Sequence, residues 1–182
     1  VGQGDGIYME TPEGTTVLID GGSSDNKKLY EYTLEPFLLS KGRKKLDAVI
    51  VTHCDNDHIS GIRKIFTEDN IKVKTLYMPS TTMTDEVYTE LIELAAESGT
   101  DIKYIYEGYS MTEKDFYMYC LHPEYEYDTS ERNDYSTTLY IRYDNFSALL
   151  TGDISGEVES NILQKYKDFP QVTILKAAHH GS

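Results

Sequence analysis

Cysteine is nearly absent from this 182-residue chain: Cys54 and Cys120 are the only two. Two thiols do not make the disulfide framework that staples a small secreted domain, and free cysteines are mostly buried, so both are expected inside. No stretch approaches the ~20 apolar residues of a membrane span. Internal repeats and low-complexity blocks are missing. Positive charge is scarce as well: 17 Lys and Arg face 31 Asp and Glu, a formal net charge of -14. Nucleic-acid binders usually show a basic face. Here the one dense basic run is KGRKKL, Lys41 to Leu46, which reads as a solvated loop. The N-terminus, VGQGDGIYME, has no initiator Met and neither region of a signal peptide. The C-terminus stops abruptly at LKAAHHGS. Both ends look like cuts, so residues 1–182 are expected to be one domain of a longer parent.

What is present is a core and a pattern. Hydrophobic residues make up 39% of the chain, enough to fill one sizeable domain. GIYMETPEGTTVLID reads as a hairpin around Pro12 to Gly14. KKLYEYTLEPFLLSKG has helical spacing up to Gly42, with Pro36 as a kink. LDAVIV is a short apolar run of the kind buried in parallel sheets. Helical periodicity resumes from His58 through Ile59, Ile62, Ile65 and Phe66. VKTLYMP reads as a strand. TDEVYTELIELAAESG reads as a helix capped by Thr84 or Asp85 and stopped by Gly99. DIKYIYEG and DFYMYCLHP follow as strands, STTLYIRYDNFSALLTGD as a hairpin turning at Asp144 and Asn145, SGEVESNILQKYK as a helix, and VTILKAAHH as a last strand. This order predicts an α/β fold with sheet layers covered by helices.

The polar residues with metal chemistry sit at strand ends. His53 follows DAVIV, His122 follows FYMYC, Asp153 follows SALLT, and His179 and His180 follow VTILK. Sites in layered α/β folds gather at the carboxyl ends of strands. The densest cluster is THCDNDH, Thr52 to His58. On a tight loop there, His53 and Asp55 would converge on one ion while Asp57 and His58 point at a neighbour. Cys54 stands between ligand positions and reads as a bystander. Mixed imidazole and carboxylate donors suit zinc, manganese or iron. A bare helix cap would need only one of these residues.

THCDNDH resembles the His-x-His-x-Asp-His signature of the metallo-β-lactamase superfamily, with Asp55 in place of the middle His. Together with VGQGDG, VLIDGG, NDYSTTLYI, LLTGDI and HHGS, it resembles the ComEC-like DNA-uptake branch of that superfamily from first residue to last. The resemblance implies an αββα sandwich with its ligands along one rim, and further chain after the last His. It also implies two divalent ions, zinc or manganese. His53, Asp55 and His122 would hold the first. Asp57, which also has a catalytic role, would hold the second with His58 and His180. Asp153 would bridge both, one oxygen to each. His180 is favoured over His179 as the ligand, leaving His179 to face the substrate or leaving group. Asp20 would buttress the loop carrying His53, Gly2, Gly4 and Asp5 would shape a loop near the site, and Asn133 and Ser136 would contact substrate.

Paired ions of this kind activate water as hydroxide and neutralise phosphodiester oxygens. The resemblance therefore implies a phosphodiesterase or nuclease acting on DNA, with single-stranded DNA as a partner. It also implies a membrane-bound parent carrying this domain outside the cytoplasm. Two alternatives stand beside it. One is an esterase for a small or cell-wall phosphodiester such as phosphorylcholine, which the acidic composition favours. The other is a non-catalytic metal-binding domain of a membrane channel.

Overall fold

Pro12 presets φ at the first position of a tight turn, and Gly14 completes it with a φ of 88°, a conformation that favours glycine. The strands on either side, β1 (Ile7–Glu10) and β2 (Thr16–Ile19), pair antiparallel with Tyr8 opposite Leu18. A computed structural model describes residues 1–68 and 70–181. Ser182, the last residue of HHGS, lies outside the described residues.

Pro36 divides the first helical segment. A π-helical turn, Tyr30–Leu34, runs into α1 (Glu35–Ser40), which has Pro36 in its first turn. Proline has no N–H to donate, so it is tolerated there and not further along. Next come β3 (Lys45–Ile50), α2 (Asn56–Glu68), β4 (Lys72–Pro79), α3 (Glu86–Glu97) and β5 (Asp101–Ile105). The Asp85 carboxylate caps α3 by accepting the Tyr88 N–H at 2.9 Å. Strands β1 to β5 form one sheet in chain order, with β2–β3 and β3–β4 parallel.

The rest of the chain supplies β6 (Ser110–Glu113), β7 (Phe116–His122), β8 (Thr138–Tyr143), β9 (Phe146–Leu150), α4 (Gly156–Lys165) and β10 (Ile174–Lys176). These strands form a second sheet in the order β10-β9-β8-β7-β6, antiparallel except where β10 runs parallel to β9. Among the described residues, two mixed sheets with four α-helices make the α/β class that the strand and helix pattern predicts.

The chain divides into two compact units. One comprises residues 1–78 and 84–104, the other residues 79–83 and 105–182. In the first unit, α2 turns Ile59, Ile62, Ile65 and Phe66 into a core shared with Leu18, Val49, Leu76 and Leu91. Each such side chain contributes about 1.5–3 kcal/mol by leaving water. In the second, alternate residues of β7 (Phe116, Met118, Cys120) are buried, as are Leu139 and Ile141 of β8 and Ala148 and Leu150 of β9. This is the period of 2 expected of a half-buried strand.

Three expectations need correction. Helix α2 begins at Asn56, so Asp57 and His58 belong to its first turn and not to a loop. β6 was not predicted: SMTE offers one apolar residue on an edge strand. The last strand ends at Lys176, and His179 and His180 lie in a 3-10 turn, Ala178–Gly181, with φ values of 50° and 54°.

Candidate metal centre

In the first unit, β2 and β3 deliver Asp20 and His53 at adjacent strand ends, and α2 starts just beyond. Asp20 N–H donates to the Ile50 carbonyl at 2.9 Å, and the Asp20 carboxylate is nearly sealed from solvent. It is well supplied with donors. Oδ1 accepts the Thr52 N–H at 2.8 Å, Oδ2 accepts the Thr52 hydroxyl at 2.7 Å, and Oδ2 lies 2.8 Å from His58 Nδ1. Asp5 Oδ2 stands 3.8 Å from the same Nδ1.

These contacts fix two tautomers. His58 gives its Nδ1 hydrogen to Asp20, so its lone pair is at Nε2. The Thr52 hydroxyl has given its one hydrogen to Asp20, so towards His53 Nδ1, 3.2 Å away, it accepts. His53 is therefore also protonated at Nδ1 with its lone pair at Nε2. The two rings are buried, with centroids 4.1 Å apart. A histidine whose far nitrogen is held by a carboxylate or hydroxyl, with Nε2 left as donor, is the usual form of a metal ligand. His53 Nε2 and Asp55 Oδ2 are 3.6 Å apart. Two donors on one tetrahedral ion at about 2.0–2.2 Å would be about 3.4 Å apart. The donor set of this unit therefore fits a divalent ion. Cys54 is fully buried in the core.

Asp57 and His58 are held from behind by glycine-rich backbone. Asp5 N–H donates to the Asp57 carbonyl at 3.0 Å and Gly21 N–H to the His58 carbonyl at 2.8 Å. A Cβ on Gly22 would meet backbone atoms of Asp57 and His58 at 2.4–2.5 Å. VGQGDG and LIDGG are thus the packing surface of the first turn of α2. Gly22→Ala should cost about 1–3 kcal/mol through forced backbone shifts, read as a lower denaturation midpoint with metal removed. Asp20→Asn should weaken zinc or manganese binding about 10–100-fold by unsettling the His58 tautomer, read by calorimetry.

In the second unit, Asp153 follows β9 across Gly152, which has a φ of 56°. Its N–H donates to Ser136 Oγ at 3.2 Å. Ser136 is fully buried and anchors the Asp153 loop. Asn133 opens the 3-10 turn before it, and its carbonyl accepts the Ser136 N–H at 3.0 Å. Asp153 Oδ2 lies 3.3 Å from His180 Nε2, again the spacing of two donors on one ion, and Oδ1 lies 3.0 Å from Lys176 Nζ. His179 is exposed, its ring centroid 6.4 Å from that of His180.

His122, a ligand in the set the resemblance implies, is engaged here in a hydrogen bond. Its Nε2 hydrogen goes to the Asp134 carbonyl at 2.6 Å, and its ring packs edge-on to Tyr127. Burial pushes its pKa below the usual histidine value, against the opposing pull of that carbonyl. The imidazole is a neutral hydrogen-bond donor that ties β7 to the 3-10 turn. Two residues that now matter, Thr52 and Lys176, were not singled out in the sequence. The available signals were a Thr directly before the first ligand and a lone Lys closing an apolar strand.

A family model described as the metallo-beta-lactamase superfamily matches residues 1–99, over half of the chain. The chain is 33% identical over 195 residues to ComE operon protein 3 of Bacillus subtilis (strain 168), a match covering 100% of this chain and 25% of that protein. It thus spans about a quarter of the length of the curated relative it matches. Solved structures share the fold at low identity. The metallo-beta-lactamase fold protein YhfI from Bacillus subtilis is 18% identical with a TM-score of 0.51, covering 85% of this chain and 58% of that one. Zinc-bound PqqB from Methylobacterium extorquens is 11% identical with a TM-score of 0.52, covering 87% and 56%. With the signature, the fold and the family model in agreement, this chain is a member of the metallo-beta-lactamase superfamily.

Proposed function

We propose that the chain is a metal-dependent phosphodiesterase acting on DNA, with His53, Asp55, Asp57, His58, Asp153 and His180 as ligands of two divalent ions, zinc or manganese. The observation that carries the metal reading is the hydrogen-bonded link of His58 directly to Asp20 and of His53 to Asp20 through Thr52, which leaves both buried imidazoles with Nε2 as donor. A solved relative in fold, PqqB, is zinc-bound. His122 is left out of the ligand set because its Nε2 hydrogen is committed to Asp134. Divalent ions in such a set supply Lewis acidity and a water acidic enough to react at neutral pH. The chain's own part is to hold and to move protons. Asp20 and Thr52 keep the imidazoles in one tautomer, and the carboxylates of Asp55, Asp57 and Asp153 offset the cationic charge. His179, exposed beside His180, delivers a proton from an imidazole nitrogen to the departing oxygen.

The DNA substrate rests on the resemblance to ComEC-like uptake proteins and on the ComE operon relative. The same resemblance supports a place outside the cytoplasm in a membrane-bound parent. Among the described residues, no helix is long and apolar enough to cross a membrane. A second reading, an esterase for a small or cell-wall phosphodiester, is favoured by the net charge of -14, which repels a polyanion. Metal-free protein refilled with manganese or zinc, offered single-stranded DNA and bis-p-nitrophenyl phosphate, separates the two. Cleavage of both supports the nuclease. Cleavage of the small ester alone supports the second reading, and cleavage of neither overturns both.

A further inference from the structure

Lys176 is the last residue of β10, an edge strand whose other two residues, Ile174 and Leu175, are exposed. Its own side chain is mostly buried, at 16% exposure. A buried ammonium requires partners that match its charge, and two are in place. Nζ donates to the Gly152 carbonyl at 2.7 Å and to Asp153 Oδ1 at 3.0 Å. The positive φ of Gly152 belongs to the same turn that delivers Asp153. The other oxygen of that carboxylate, Oδ2, faces His180 Nε2.

From this geometry we infer that Lys176 is the positioning residue of the Asp153 carboxylate: it holds Oδ1 and leaves Oδ2 as the oxygen offered to metal. The inference rests on the metal-dependent reading. Oδ1 is held by a charge-assisted bond, and Oδ2 is the oxygen turned toward the neighbouring candidate donor, His180 Nε2. Lys176 also ties β10, and with it the turn carrying His180, to the end of β9. A change at Lys176 therefore acts on two ligands at once.

The test is calorimetric titration of metal-free wild type, Lys176→Met and Lys176→Arg with zinc and with manganese, alongside circular dichroism. Partners that hold a ligand in place typically account for about 10–100-fold in metal affinity. Lys176→Met should lose that much, and Lys176→Arg, which keeps the charge and the donors, should recover most of it. If Lys176→Met loses its native dichroism, Lys176→Gln takes its place with the same expected loss. Wild-type affinity in a folded neutral variant would make the ion pair incidental. Tighter binding would make Lys176 a cation that competes with metal. Either result overturns the inference while leaving the metal-dependent reading intact. A wild-type protein that takes up no ion overturns both.

Discussion

Asp153→Asn should lower the metal content of dialysed protein from two ions toward one or none, and should cost more activity than His122→Ala. Asn keeps the shape of the side chain but removes a charge that the ions need for compensation. It also strips Lys176 of its counter-ion in a mostly buried place. His122→Ala removes only a hydrogen bond to the Asp134 carbonyl and a ring contact with Tyr127. Such a bond is worth about 0.5–1.5 kcal/mol of stability, so this variant should unfold earlier but keep its metal. Elemental analysis and kinetics on both variants decide the matter. Two ions retained in Asp153→Asn, with His122→Ala depleted, would reverse the two roles.

Asp57→Ala should reduce hydrolysis to the protein-free background while leaving the fold intact. Asp57 is half-buried in the first turn of α2. Its backbone carbonyl, which accepts the Asp5 N–H, survives the change. Alanine is a good helix former. The cost to stability is the lost interaction of a carboxylate with a helix N-terminus, about 0.3–1 kcal/mol. Full turnover in Asp57→Ala with two ions bound would remove Asp57 from the chemistry and from the proposed ligand set.

How much of this could be read from the sequence depended on the kind of signal. α3 was clear because Tyr88, Leu91 and Ala95 recur at helical spacing, Asp85 caps it and Gly99 stops it. The proposed ligands His53, Asp55, Asp57 and His58 stood out because a bare helix cap does not account for so many donors after a buried strand. The start of α2 was placed late because Asn56 and Asp57 are polar and read as loop. β6 was invisible because an edge strand needs little apolar patterning. The extent of β10 was misjudged for a different reason. The left-handed backbone at His179 and His180 leaves no mark in residue type, whereas the same conformation at Gly152 does. His122 looked like a ligand from its place at the end of β7, but its hydrogen bond is to a carbonyl 12 residues away, a contact that spacing does not show. The division into two units also left no break in composition.

The most direct test of the central claim is the titration of metal-free wild-type protein with zinc or manganese, counting the ions bound. The expected result is saturable uptake of two ions per chain, accompanied by loss of the His53 and His58 resonances from their metal-free positions. Failure to bind any ion in folded protein would contradict the claim. So would binding that leaves both histidine signals where they were.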